Sequence, residues 1–141
     1  MKALYTATAT ASGGRDGHVE TDDAAIVLDL AVPAAMGGSG NGSNPEQLFA
    51  AGYAACFHSA MQFIAGQQKL DVSGSTVTGH VSIGERSDGP GFKLAVRHDV
   101  ALPSLDQTAA ETLVAQAHEV CPYSNATRGN IDVDFDVTGA V

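Results

Sequence analysis

Two residues in this sequence carry a thiol, Cys56 and Cys121, and they have the greatest capacity for covalent chemistry. Cys56 lies in a long apolar stretch that reads as a helix, about three turns past Pro45. A helix dipole acts within its first turn, so it cannot activate this thiol. On the residues alone, Cys56 fits a small buried hydrophobe more readily than a nucleophile. Cys121 fits an ordinary helix-end residue or half of a disulfide. A metal site is not expected. His58 follows Cys56 by two residues, which on a helix turns it roughly the opposite way. His118 can share a face with Cys121, but no Cys-x-x-Cys or His-x-x-x-His spacing completes a ligand set. The glycine-rich run Gly37–Gly42 lacks the Gly-Lys-Ser/Thr of a phosphate loop, and no Gly-x-Ser-x-Gly elbow marks a serine hydrolase.

The elements that must position these thiols follow from hydrophobic period. Alternation predicts five strands: residues 2–10, 24–32, 75–85, a strand carrying Phe92, Leu94, Val96, His98 and Val100, and a last one carrying Ile131 to Val137. Asn44-Pro45-Glu46 is a helix start, a capping side chain followed by a proline where no backbone donor is needed. Ser43 with Glu46 also fits a capping box. This helix is expected to run to about Gly66 and is apolar almost all round, so it must be covered on most sides. A second helix is expected from about Asp106 to Val120, ended by Cys121-Pro122. The order of strands, helix, strands, helix, strand predicts an α+β fold with antiparallel sheet in a single domain, 1–141. A second subunit is the simplest cover for so apolar a helix.

At 141 residues and 44% apolar, the chain can build a core without a metal or disulfide staple. Its net charge of -9, with only seven Lys or Arg, disfavours nucleic acid and anionic lipid as partners. The apolar run Leu48–Cys56 is short and no targeting segment is visible, so no bilayer span is expected and the cytoplasm is the expected compartment. With cations this scarce, Arg15, Arg86, Arg97 and Arg128 each invite the question of what they hold.

Three segments carry a resemblance: Tyr5-Thr6-Ala7 through Gly13-Gly14-Arg15-Asp16-Gly17, Asn44-Pro45-Glu46-Gln47-Leu48-Phe49 through Cys56-Phe57, and Cys121-Pro122-Tyr123-Ser124-Asn125-Ala126-Thr127-Arg128-Gly129-Asn130-Ile131. In order and across essentially the whole chain, they resemble the organic hydroperoxide resistance proteins, a branch of the OsmC superfamily. Ser43 replaces a commoner threonine, and the stretch 18–25 is more acidic than the family pattern. The resemblance implies an intertwined homodimer whose sheets wrap two central helices. It also implies a thiol peroxidase: Cys56 attacks the peroxide, Cys121 resolves the sulfenic acid as a disulfide, Arg15 supports the reaction and Glu46 holds Arg15. Arg128 is expected to be structural. The implied reductant is a dihydrolipoyl-bearing protein, and no cofactor is implied.

Phe49, Tyr53, Phe57, Met61 and Phe63 surround Cys56 in sequence and are the candidate substrate surface. An apolar surface favours alkyl, aryl or fatty-acyl hydroperoxides over hydrogen peroxide, which has no tail to bury. The rival readings are a redox sensor that does not turn over, and a structural protein with inert cysteines. The chain shows no appended DNA-binding segment, and retention of Arg15 and Glu46 counts against inert thiols.

Overall fold

The structure, a computed structural model, describes residues 1–141. The chain divides into two compact units, Met1–Leu48 and Phe49–Val141. The first holds a three-stranded antiparallel sheet of β1 (Ala9–Ser12), β2 (His18–Thr21) and β3 (Val27–Asp29). The expected strand 2–10 is thus displaced to Ala9–Ser12, with residues 2–8 outside any strand, the expected strand 24–32 is shortened to Val27–Asp29, and β2 is additional. Glycines explain the break. Gly13 and Gly14 take positive φ, which stops β1 and folds the chain back as β2. Only Ala31 is buried in this unit, and Leu4, Tyr5 and Val27 stand exposed.

The long helix α1 (Pro45–Gln68) begins where the sequence predicts and runs slightly further. Its capping box is Asn44 with Gln47, not Ser43 with Glu46. Asn44 Oδ1 accepts from the Gln47 N–H at 2.9 Å, and Gln47 Oε1 accepts from the Asn44 N–H at 3.2 Å. The Glu46 carboxylate is engaged instead by Arg15.

In the second unit, β4 (Thr76–Glu85), β5 (Phe92–Asp106) and β6 (Val133–Ala140) form the second sheet, in that order. β4 and β5 pair antiparallel, but β5 and β6 pair parallel, a departure from the expected antiparallel sheet. The cause is topological. α2 (Gln107–Val120) and α3 (Pro122–Thr127) lie between these strands and carry the chain back along the sheet, which parallel pairing requires. Asp106 caps α2 by accepting from the Ala109 N–H at 3.0 Å.

One stripe of α1, Tyr53, Phe57, Met61 and Ala65, meets the sheet residues Val96, Val100 and Leu102 and the α2 residues Leu113 and Ala117 in the core. Gly79 of β4 allows the approach, since a Cβ there would lie 2.9 Å from the Ala50 carbonyl oxygen. The other faces of α1 range from half-buried to exposed, and Phe63 is 62% exposed. With 24 residues and a mean hydropathy of 1.3 in its most apolar window, α1 is long and apolar enough to cross a membrane by length and composition alone. That corrects the expectation that no segment could, because the helix is longer than the run Leu48–Cys56. The buried stripe is what a core helix shows.

Candidate active site

In the first unit, a 3-10 turn (Gly14–Asp16) presents Arg15. The turn closes tightly: a Cβ on Gly17 would sit 1.8 Å from the Ser12 carbonyl oxygen, so only glycine fits. Asp16 braces the same turn, its Oδ1 accepting from the Val32 N–H at 3.0 Å. Arg15 donates twice to Glu46, Nη1 to Oε2 at 2.8 Å and Nη2 to Oε1 at 2.7 Å. This two-pronged grip fixes the plane of the guanidinium as well as its position. It raises the Arg15 pKa further and holds the Glu46 carboxyl below its usual range, burial opposing both. The expected Arg15–Glu46 partnership is therefore present in the geometry.

In the second unit, α1 presents Cys56 and the end of α2 presents Cys121. Their Sγ atoms are 3.7 Å apart, with the Cys121 thiol donating to Cys56. Neither is bonded; Cys121 is fully buried and Cys56 partly so. Two residues 65 positions apart in sequence thus face each other within thiol–thiol contact. Burial pushes the Cys56 thiol pKa up, and the Tyr123 backbone N–H, donating to that sulfur, opposes it.

The short helix α3 holds Cys121 in place. Pro122 does more than end α2, because as the first residue of α3 it starts a new helix with Cys121 as its cap. This second meaning of Cys121-Pro122 is the signal in the sequence for α3. Ser124 and Thr127 of α3 then bond the buried Tyr53 hydroxyl at 3.0 and 3.1 Å, tying the turn after Cys121 to the helix that carries Cys56. Arg128 caps the end of α2 by donating to the His118 carbonyl, and it also bonds Asn125 at 2.8 Å, a structural role.

Of the candidate substrate residues, Phe49 lines a cavity of about 600 Å³ in this unit. Tyr53, Phe57 and Met61 do not; they are fully buried in the core, where their helical spacing places them under the sheet. Phe63 is exposed and lies outside the cavity. The remaining lining includes Arg86, Phe92, Lys93, Leu94, Tyr123 and Ile131, most of it from β5 and α3 and the loops beside them. A search by nearness to Cys56 in sequence could not reach these residues. The sequence marks His98 only as one residue of an alternating strand. It is wholly buried between Tyr53, Phe57 and Phe135, and neither ring nitrogen has a partner. Its pKa is lowered to about 4, by burial first and then by His118 and His80.

The family described as OsmC-like protein matches residues 38–136. The organic hydroperoxide resistance protein of Xanthomonas axonopodis pv. citri is 52% identical over 134 residues, covering 94% of this chain and 93% of its own. The organic hydroperoxide resistance protein OhrB of Bacillus subtilis is 46% identical over 135 residues, covering 96% of this chain and 98% of its own. A crystal structure of an organic hydroperoxide resistance protein from Legionella pneumophila superposes with a TM-score of 0.92 at 54% identity, covering 99% of this chain and 100% of that one. Sequence and fold agree over nearly the full length, and the chain belongs to the organic hydroperoxide resistance branch of the OsmC-like family.

Proposed function

We propose that this protein is a two-cysteine peroxidase that reduces organic hydroperoxides to alcohols and so contributes to organic hydroperoxide resistance. The observation that carries the reading is the 3.7 Å approach of two unbonded sulfurs from distant parts of the chain. The Cys56 thiolate attacks one peroxide oxygen, the O–O bond breaks, and the leaving alkoxide takes a proton to depart as an alcohol. Cys56 is left as a sulfenic acid. The Cys121 sulfur displaces that hydroxyl, so a disulfide forms and water leaves. A dithiol, for which dihydrolipoyl groups are our candidate, then takes the place of the disulfide as the oxidised species and returns both cysteines to thiols.

Arg15 is our candidate for the group that supports charge on the leaving oxygen. Lowering a thiol pKa raises the thiolate fraction but weakens each thiolate by a similar factor, with a Brønsted slope of about 0.4–0.5. Electrostatic support of the leaving oxygen escapes this cancellation. The paired hydrogen bonds to Glu46 favour such a role, because a guanidinium with a fixed aim loses little freedom when it acts.

The working form in this reading is a cytoplasmic homodimer. Support for the dimer comes from the incompletely covered apolar faces of α1, where Phe63 is exposed, and from a first unit that buries only Ala31. Light scattering at micromolar concentration is expected to give twice the 14.3 kDa chain mass.

The decisive experiment is steady-state peroxide consumption with dihydrolipoamide. Organic peroxides are expected to exceed hydrogen peroxide at least tenfold in kcat/KM, since two buried methylenes at about 0.8 kcal/mol each suffice. Cys121→Ser should undergo one oxidation and then over-oxidise, as read by mass spectrometry after one equivalent of peroxide. Sustained dithiol-driven turnover without Cys121 would remove its resolving role.

A further inference from the structure

Gly52 stands inside α1, where a glycine weakens a helix relative to alanine, and its φ is not positive, so backbone conformation does not call for it. A packing reason is present instead. A Cβ on Gly52 would lie 3.2 Å from the Tyr123 hydroxyl oxygen and 3.4 Å from the ring carbon Cε2. The Tyr123 ring of α3 therefore rests on the bare backbone of α1. Phe49 and Tyr53 flank it, with ring centroids 6.0 and 5.6 Å away.

Phe49, Gly52, Tyr53 and Cys56 recur at helical spacing and share one face of α1. Tyr123 meets that face twice. Its ring sits on Gly52, and its backbone N–H donates to the sulfur of Cys56, one turn further along. Cys121 and Pro122 directly precede Tyr123, so the placement of this backbone also sets where the Cys121 sulfur stands, 3.7 Å from Cys56. The Tyr53 hydroxyl ties down the residues that follow, Ser124 and Thr127.

We propose that Gly52 is a seat for Tyr123 and that the seated ring positions the thiol pair. The seat sets how close α3 comes to α1, and with it the contacts of the Tyr123 N–H and of Cys121 with the Cys56 sulfur. The inference rests on the reading of the two cysteines as a peroxide-driven redox pair. Gly52 and the Tyr123 ring are positioning groups, without part in any bond change.

The hydroxyl supplies the test. A Cβ at Gly52 crowds only that oxygen, since 3.4 Å to Cε2 is ordinary packing. Gly52→Ala is expected to push the Tyr123 ring away, whereas Tyr123→Phe makes room for the same alanine. After one equivalent of tert-butyl hydroperoxide, Gly52→Ala should slow disulfide closure on the order of three- to tenfold, a fraction of what a displacement of about 1 Å costs reacting groups. In the Tyr123→Phe background the same substitution should change closure by less than about twofold. Unchanged closure in Gly52→Ala, or equal slowing in both backgrounds, overturns the proposal. Where Gly52→Ala alone fails to fold, recovery of folding and closure in the double variant supports the seat, and no recovery overturns it.

A second readout needs no peroxide and does not follow stability. The pH profile of Cys56 alkylation by iodoacetamide is read by mass spectrometry with Cys121→Ser in every protein, so that a single thiol titrates. Gly52→Ala should move the midpoint to higher pH, because a withdrawn N–H no longer favours the thiolate, and Tyr123→Phe should bring it back. The same midpoint with glycine and with alanine overturns the proposal. Failure of the peroxidase reading shows separately, as wild-type protein that forms no disulfide with the peroxide while the alkylation profiles shift as stated.

Discussion

Arg15 with Glu46 and Cys56 with Cys121 are both pairs of chemically capable side chains, yet the two units hold them by opposite means. The first unit has almost no core of its own, and its pair is an ion pair with the Arg15 side chain 38% exposed. A glycine-built turn and two parallel hydrogen bonds suffice there, because fork-to-fork geometry fixes aim without enclosure. The second unit holds its sulfurs by packing: a helix stripe, a sheet and the docked turn α3. A thiol has weak directional bonds, so only close packing can hold one sulfur against another. Exposed charge is thus positioned by hydrogen bonds and buried sulfur by core.

Breaking the thiol pair should have the greatest effect. Cys56→Ser is expected to abolish dithiol-driven peroxide consumption, because no other side chain in the second unit is placed to attack and be resolved by Cys121. Residual turnover above a heat-denatured control would mean that Cys121 attacks on its own.

Breaking the ion pair should cost less. Arg15→Ala is expected to slow the peroxide step on the order of 10²–10³-fold, the scale of a lost oxyanion donor. Glu46→Ala should lose less, and the double variant should be little worse than Arg15→Ala. A pH–rate profile checks the cause. Full recovery of Arg15→Ala at about pH 9.5, where an ordinary thiol ionises unaided, would show that Arg15 only lowers the thiol pKa. Additive losses would show that Glu46 acts independently.

The packed unit carries its own liability in His98. Its folded pKa of about 4 lies below its ordinary value of about 6.5, so protonation favours the unfolded chain. Stability is full above pH 6.5 and falls as pH drops from there towards 4, by a total of about 3 kcal/mol. Urea unfolding at a series of pH values reads this slope, and His98→Phe should flatten it. An unchanged slope in that variant would place the acid sensitivity elsewhere.

The smallest change sharpens how packing holds the thiols. Tyr53→Phe removes the hydroxyl that bonds Ser124 and Thr127 and should cost about 1–2 kcal/mol in unfolding. If α3 positions Cys121, disulfide closure after one peroxide equivalent should slow in stopped flow. Loss of stability with unchanged closure would make this network a support for the core alone.

Much of this protein is determined by sequence alone. Local rules locate both long helices, because capping residues, proline and hydrophobic period act within a few residues of one another. Residue types and their order also carry the family, the two cysteines and the Arg15–Glu46 partnership. Tertiary structure decides what depends on distant segments meeting. The parallel pairing of β5 with β6 follows from a crossover through two helices, and alternation reads the same in either direction. Whether an aromatic residue on α1 is core or cavity depends on which helix face meets the sheet. Period alone cannot show that for a helix apolar all round, and so Tyr53, Phe57 and Met61 are expected from sequence at the substrate surface but lie in the core. The cavity wall comes from the start of β5, α3 and the loops carrying Arg86 and Ile131, brought against Phe49 of α1 by the fold and not by the chain. The 3.7 Å between the sulfurs belongs to the same class, since it exists only where α1 and the end of α2 are packed into one core.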